Sequence, residues 1–253
     1  MITFEQVTVR FGEHLGLEDV TWSMREGECI TLLGPNGSGK TTCMRLITHE
    51  ITPTSGTVTV GTFPPGRLPR RHRALMRRML GIIYEDFRLL PDRSIFENVA
   101  LALRIAGRFA DEDVIPHVMH ALDEVGLHHK QTSFPQALSA GERQRAAIAR
   151  AIATRPRVIL ADEPTGNLEK ASTAEVLALL RRLHLEGTAL LLATSHPEIA
   201  EAFPGRTLRL EDGQLVGEGG ARSIAYMPGD PEAPQQDESD EPLASTLHEP
   251  NQA

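Results

Sequence analysis

Residues 29–47, Cys29-Ile30-Thr31-Leu32-Leu33-Gly34-Pro35-Asn36-Gly37-Ser38-Gly39-Lys40-Thr41-Thr42-Cys43-Met44-Arg45-Leu46-Ile47, read as a buried strand, a glycine-rich turn and a helix. Gly34 to Thr41 fit the phosphate-loop pattern G-x-x-x-x-G-K-[ST] without deviation. The glycines let successive backbone N–H groups turn towards one anion, and the helix N-terminus adds its partial positive charge. Lys40 is placed to reach the β- and γ-phosphates, and the Thr41 hydroxyl to ligate Mg²⁺. The stretch predicts an α/β fold that binds a nucleoside triphosphate, with Gly34, Pro35, Asn36, Gly37, Ser38, Gly39, Lys40, Thr41 and Thr42 as its binding residues.

A second strand pattern, Val158 to Ala161, runs into Asp162-Glu163-Pro164-Thr165. Adjacent carboxylates at a strand end suit a phosphate-loop hydrolase. Asp162 is expected in the Mg²⁺ shell, and Glu163 is expected to polarise the attacking water. Alone, Asp-Glu after a strand is a common loop start; the phosphate loop upstream gives it meaning.

Around these two motifs the element pattern is consistent. Short strand patterns (Ile2 to Phe4, Val7 to Phe11, Val20 to Met24, Thr57 to Val60) alternate with glycine turns. Ser94 to Ala106 and Glu112 to Val125 carry apolar residues at helical spacing. Strand and helix then alternate through Thr173 to Leu185 and Ala189 to Thr194. The pattern closes on a hairpin, Thr207 to Leu210 and Gln214 to Val216 about Asp212-Gly213. The predicted architecture is a parallel-sheet core with an antiparallel β subdomain and an inserted helical subdomain at about 90–150.

Composition narrows the class. The chain has 253 residues, with room for one large α/β domain or two small ones. Its two cysteines, Cys29 and Cys43, sit in apolar surroundings and read as reduced core thiols. The N-terminus lacks the pattern of a signal peptide, and no apolar run approaches a membrane span of about 18 residues. Work at a membrane would require a partner. Residues 221–253 hold one arginine and seven carboxylates, a net of −6 out of −8 for the chain. With five prolines and little apolar periodicity there, 220–253 read as a disordered acidic tail and 1–219 as the folded domain. The nearly neutral folded part does not point to nucleic acid.

The segment Leu138-Ser139-Ala140-Gly141-Glu142-Arg143-Gln144-Arg145 opens a helix, with Ser139-x-x-Glu142 as a capping box. It also presents a hydroxyl, free N–H groups and a helix dipole to any anion opposite. With the phosphate loop and Asp162-Glu163, it resembles the LSGGQ-type signature of the ATP-binding cassette (ABC) family over about residues 1–219. The resemblance implies an ATPase with ATP and Mg²⁺ as cofactors, and a homodimer formed on ATP binding. Ser139, Ala140, Gly141 and Glu142 of one copy would contact the ATP held by the other.

Other positions follow from the same resemblance. Phe11 falls where an aromatic ring stacks on adenine, and His196 matches the switch histidine near the γ-phosphate, making Glu163 and His196 the catalytic pair. Gly166 to Glu169 matches the loop that crosses the dimer interface, with Glu169 where Asp is usual. Ile83 to Pro91 matches the loop between core and helical subdomain, with Glu85 where Gln is usual. Glu85 is therefore a third expected metal-side residue, beside Thr41 and Asp162, and Ala140 replaces a signature glycine. Asp86 to Ala100 and Glu163-Pro164-Thr165-Gly166-Asn167-Leu168 resemble the FtsE-type cell-division branch. That branch implies an FtsX-like integral membrane partner, possible contact with other division proteins, no nucleic acid, and a peripheral place on the cytoplasmic face of the bacterial inner membrane. The output would be control of cell-wall hydrolases. The lipoprotein-releasing and macrolide-exporter ATPases share the second motif and stand as the alternative; a nucleic-acid or ribosome ATPase would normally carry a second cassette.

Two further clusters carry lower expectations. Arg67, Arg70, Arg71, Arg73, Arg77 and Arg78 with His72 form a basic stretch, either a solvated face or a contact for anionic headgroups or an acidic partner. His117, His120, His128 and His129 lack an accompanying cysteine or fixed carboxylate and read as surface residues.

Overall fold

The computed structural model describes residues 1–107 and 109–222. Chain order gives β1 (Ile2–Phe11), β2 (His14–Met24), β3 (Cys29–Leu33), α1 (Lys40–Ile47), β4 (Ser55–Val60), α2 (Arg70–Arg77) and β5 (Leu80–Ile83). There follow α3 (Ile95–Ala106), α4 (Asp111–Glu124), α5 (Ala140–Ile152), β6 (Val158–Asp162), α6 (Lys170–Leu185), β7 (Ala189–Thr194), α7 (Pro197–Ala202), β8 (Gly205–Glu211) and β9 (Gln214–Arg222).

Six strands form the central sheet in the order β5-β6-β7-β3-β8-β9, parallel except for the β8–β9 hairpin. Every residue of β3 and of β7 is buried, as expected for parallel strands covered on both faces. Period-two alternation divides the core. Ile30, Leu32, Val158, Leu160, Leu191 and Ala193 join α1 and the antiparallel β2-β1-β4 sheet on one side. Ile159, Ala161, Leu190 and Leu192 face the helices, where Val99, Leu103, Val118, Leu122 and Ile148 come from α3, α4 and α5. The three helices contact one another and form the helical part expected between 90 and 150. Ser94 and Ser139 each close a capping box, with Glu97 and Glu142, at the starts of α3 and α5.

Several elements depart from the sequence expectation. The patterns at 2–4 and 7–11 belong to one strand, interrupted by a register shift at Gln6, whose φ of 49° carries the chain through a bulge. α2, β5 and α7 carried no readable pattern. α2 buries only Met76 among its eight residues, and β5 is only four residues long. β9 continues past Val216 to Arg222, which pairs with Gly205. Residues 220–222, expected in the tail, are therefore strand; 223–253, the rest of that expected tail, lie outside the described residues. Cys29 and Cys43 are free and buried, and burial pushes both thiols up to about 12. No helix among the described residues is long and apolar enough to cross a membrane.

Candidate active site

The phosphate loop leaves the C-terminal end of β3, in the middle of the sheet, and its last glycine opens α1. Gly39 has a φ of 106° and the helix start carries no side-chain cap, so its N–H groups stay open to a ligand. A Cβ at Gly39 would also lie 2.6 Å from Leu17 Cδ2, which excludes any larger residue. Gly34 is equally closed, since a Cβ there would lie 2.1 Å from the Leu210 carbonyl oxygen. Ser38 Oγ is buried without a hydrogen-bond partner.

Lys40 is 5% exposed, and its ammonium donates to the Gly34 carbonyl at 2.8 Å and the Pro35 carbonyl at 3.1 Å. It also pairs with Glu163 Oε1 at 3.3 Å. Thus Lys40 faces the loop from within, with a carboxylate opposite. A triphosphate entering the loop would meet an ammonium already held in place by two carbonyls and would compete with Glu163 for it.

Asp162 ends β6 beside the loop. Its Oδ1 is buried without a hydrogen-bond partner. Burial pushes its carboxyl above the ordinary range; the hydrogen bond with the Thr41 hydroxyl opposes this, while the charges of Glu163 and Glu85 add to the rise. A half-buried carboxylate with a bare inner oxygen and a hydroxyl beside it suits a hard cation, whose charge would offset the desolvation cost. Among the described residues no group of three or more His, Cys, Asp or Glu side chains is gathered to hold a metal. Such a cation would therefore complete its shell with phosphate oxygens and water.

Glu163 adopts a φ of 43°, rare for a residue with a Cβ. The backbone is fixed on both sides: Glu163 N donates to the Ala193 carbonyl at 3.0 Å, and Gly166 N donates to the Glu163 carbonyl at 3.1 Å. The strained residue is held by β7 and by the turn that follows, which aims its carboxylate at the loop. A cleft of about 260 Å³ collects Phe11, Asn36, Gly37, Lys40, Thr41, Thr42, Glu85 and Glu163. An adjoining recess of about 210 Å³ joins Asn36, Glu85, Glu163 and Gly166 to Ser195 and His196. Most of the loop residues, Glu85, Glu163 and Phe11 thus line the cleft and His196 the recess beside it, while Asp162 lines a third space of about 410 Å³ that shares Thr41 with the cleft. Phe11 is 42% exposed at the cleft mouth, an aromatic face open to a planar ring. His196 Nδ1 lies 3.3 Å from Glu198.

The signature residues are elsewhere. Ser139 and Glu142 cap α5: Glu142 N donates to Ser139 Oγ at 3.2 Å, and Ser139 N donates to Glu142 Oε2 at 2.9 Å. This hydrogen bonding holds the Glu142 carboxyl below its usual value. A Cβ at Gly141 would meet Ser172 Oγ at 2.5 Å, so α6 forces a glycine here. Ser139, Ala140, Gly141 and Glu142 line neither the cleft nor the recess.

Sequence reasoning missed what holds the Glu85 loop. Phe87 and Arg88 have φ values of 61° and 47°. The Arg150 guanidinium, from the signature helix α5, donates to the Phe87 carbonyl at 2.8 Å and also to the Arg88 carbonyl. Arg143, about two turns earlier on that helix, stands 5.2 Å from the Phe87 ring. The buried Asn98 amide donates to the Leu90, Arg93 and Ser94 carbonyls and accepts from Leu90 N. The loop that carries Glu85 is therefore bolted to the helix that carries the signature. His14 and Gly16 also line the cleft; the Phe11–His14 register of the β1–β2 hairpin puts them there, and no local pattern announces it.

The sequence matches the ABC transporter family over residues 17–166. It is 41% identical over 220 residues to the cell division ATP-binding protein FtsE of Mycobacterium tuberculosis, covering 85% of this chain and 94% of that one. With FtsE of Escherichia coli it shares 40% identity over 218 residues, 86% of this chain and 98% of the relative. The fold superposes on a dimeric, post-hydrolysis structure of the ATP-binding cassette MJ0796 bound to ADP and Pi with a TM-score of 0.80, at 30% identity, over 88% of this chain and all of that one. The chain belongs to the ABC transporter family and is an ATP-hydrolysing cassette of the FtsE type.

Proposed function

We propose that this cassette powers an FtsE/FtsX-type complex, in which a membrane partner couples ATP turnover to control of cell-wall hydrolases during division. The working place is then the cytoplasmic face of the inner membrane, and residues 1–222, through the end of β9, are the ATPase domain. The observation that carries the catalytic part is the pair formed by Lys40 and Glu163 across the cleft, with the bare Asp162 oxygen beside it.

The residues act as follows. The loop N–H groups and Lys40 hold the β- and γ-phosphates and Phe11 stacks on adenine; Thr41 and Asp162 would hold Mg²⁺, which would supply charge to offset that of the phosphates. Once the γ-phosphate claims Lys40, Glu163 is free to accept a proton from water in the recess. The water oxygen bonds to the γ-phosphorus as the bond to the bridging oxygen breaks, and the proton passes to Glu163. His196, on the recess wall, contacts the γ-phosphate side. Ser139 to Glu142 lie outside this cleft, so they serve the ATP of a second copy. The dimeric relative supports that arrangement.

Two measurements test the assignment. Affinity-purified from the membranes of its own cells, the chain should bring down an FtsX-like subunit; copurification with a lipoprotein-releasing or exporter subunit instead would overturn it. On sizing, ATP should produce a dimer that ADP does not.

Glu85 distinguishes this chain from its family pattern. It lines both spaces and lies 3.0 Å from the position of a Cβ on Gly166. A carboxylate binds a cation more strongly than a Gln carbonyl but repels the γ-phosphate and cannot donate a hydrogen bond when ionised. Basal hydrolysis should therefore be low, and Glu85→Gln should raise it several-fold without the partner while shifting the Mg²⁺ dependence to higher concentration. Rates across a Mg²⁺ titration, alone and with the partner, check this. Equal rates and equal Mg²⁺ dependence in both settings would leave Glu85 without a role.

A further inference from the structure

Between Glu50 and Glu85 the sequence contains no acidic residue and six arginines. Five of them fall on or beside α2, and Arg67 precedes it. α2 is anchored from one side only: Met76 is fully buried in the core below β5, and Leu68 is buried just before the helix. On the outer side Arg67, Arg70, Arg71 and His72 are exposed. Leu75, one turn beyond Arg71, is 40% exposed among them. Among the described residues no ion pair joins Arg67, Arg70, Arg71, Arg73, Arg77 or Arg78 to a carboxylate. A chain of net charge −8 thus keeps a patch of uncompensated guanidinium groups on one short helix.

The position of this face matters. α2 leads directly into β5, the edge strand of the sheet. Arg77 Nε donates to the Thr48 carbonyl at 2.8 Å. Thr48 in turn lines a cleft of about 410 Å³ with Arg45, Glu50, Tyr84 and Arg88, which reaches Thr41 and Asp162 beside the phosphate loop. The basic face therefore borders the part of the surface nearest the loop that a membrane partner would influence.

From this geometry we infer that the outer face of α2 is an electrostatic contact for the anionic lipid surface. Resting on the membrane-partner reading above, it orients the cassette beneath the bilayer. Arginine forks match phosphate oxygens, and each guanidinium near an anionic surface strengthens partitioning roughly fivefold. Leu75 gives the face an apolar side chain that can enter the headgroup boundary, the mixture found on interfacial helices. Residues 223–253 are the competing occupant, with seven carboxylates and neither Lys nor Arg. They leave from β9, at the opposite edge of the sheet from β5. Five strand spacings of about 4.8 Å put that edge ~24 Å away, a span that 31 residues at about 3.3 Å each can cross, so deletion of the segment is one arm of the test.

Flotation of the full-length chain, without any membrane partner, on vesicles of phosphatidylcholine alone or with phosphatidylglycerol added tests the inference. The wild type should float with the anionic vesicles at low salt, stay behind with the neutral ones, and be released at about 1 M salt, where the Debye length falls to about 3 Å. Combining Arg67→Gln, Arg70→Gln and Arg71→Gln should weaken partitioning about a hundredfold and leave ATP hydrolysis in solution unchanged, which also shows that the variant is folded. Leu75→Ser should weaken binding several-fold. No flotation of the wild type, or equal flotation of the triple variant, would overturn the inference. So would flotation that appears only after deletion of 223–253, since that result gives the face to the tail. Because the partner is absent, failure here leaves copurification with an FtsX-like subunit as a separate question.

Discussion

Glu163→Gln should bind ATP as tightly as the wild type and hydrolyse it more slowly by roughly two to four orders of magnitude. Gln keeps the size and the hydrogen-bonding reach of Glu but cannot take a proton from water at neutral pH. The backbone that places residue 163, with its bonds to Ala193 and Gly166, does not depend on the side-chain charge. In the empty site the substitution removes the 3.3 Å ion pair with Lys40, which frees the ammonium for phosphate and should, if anything, tighten nucleotide binding. The same variant should accumulate an ATP-bound dimer, because the cassette that cannot hydrolyse cannot release its partner. Steady-state phosphate release, nucleotide binding by fluorescence, and sizing with ATP and with ADP report the three effects. Hydrolysis at the wild-type rate would remove Glu163 from the role of base. A variant that stays monomeric in ATP, with and without a membrane subunit, would argue against a site completed by Ser139 and Gly141 of another copy.

The contrast between what the sequence disclosed and what it hid has a physical basis. The β3–loop–α1 unit is local: a buried five-residue strand with four apolar side chains, fixed glycines and Lys-Thr at a helix start occupy consecutive positions. The capping boxes at Ser94 and Ser139 are equally local, each a contact three residues long. Strands β6 and β7 were legible because burial on both faces leaves an unbroken apolar run. α2 was hidden because a helix with a single buried residue shows no apolar stripe; its arginines read as a charged stretch with no assigned conformation. β5 is four residues long, and β1 seemed two strands because its bulge at Gln6 shifts the apolar phase. The site shows the same division. Lys40, Asp162 and Glu163 could be named from their motifs, but their mutual arrangement could not. The Lys40–Glu163 pair joins the ends of β3 and β6, which lie on either side of β7, and the Arg150 clamp on Phe87 and Arg88 joins residues about sixty positions apart through backbone carbonyls, which any sequence supplies. Glu85 was conspicuous as a departure from a pattern, yet its position on the walls of both the phosphate cleft and the recess is a fact of three dimensions.

Lys40→Ala should abolish measurable nucleotide binding, a loss of more than a hundredfold in affinity. The ammonium is the one cation that the structure aims into the phosphate cleft from within the loop. Charge-assisted hydrogen bonds to phosphate oxygens contribute about 1.5–3 kcal/mol each, and two of them suffice for that factor, since 1.4 kcal/mol is tenfold. The empty protein should also lose some stability. The Gly34 and Pro35 carbonyls lose their donor, and Glu163, whose Oε1 has no hydrogen-bond partner, loses the ammonium paired with it and is left with the Glu85 carboxylate on the same cleft walls. A buried carboxylate left alone is costly, so the melting temperature of Lys40→Ala should fall, and the double variant Lys40→Ala/Glu163→Gln should recover part of that fall without recovering nucleotide binding. Lys40→Arg offers a control of charge without fit: the longer, planar fork cannot occupy the space between the two carbonyls, and binding should remain weak. Titration calorimetry with a non-hydrolysed ATP analogue and thermal melts of the single and double variants separate the two effects. If Lys40→Ala bound the analogue within tenfold of the wild type, the phosphates would be held chiefly by the loop N–H groups and the helix start at Gly39, and the inward-facing ammonium would serve the empty site alone.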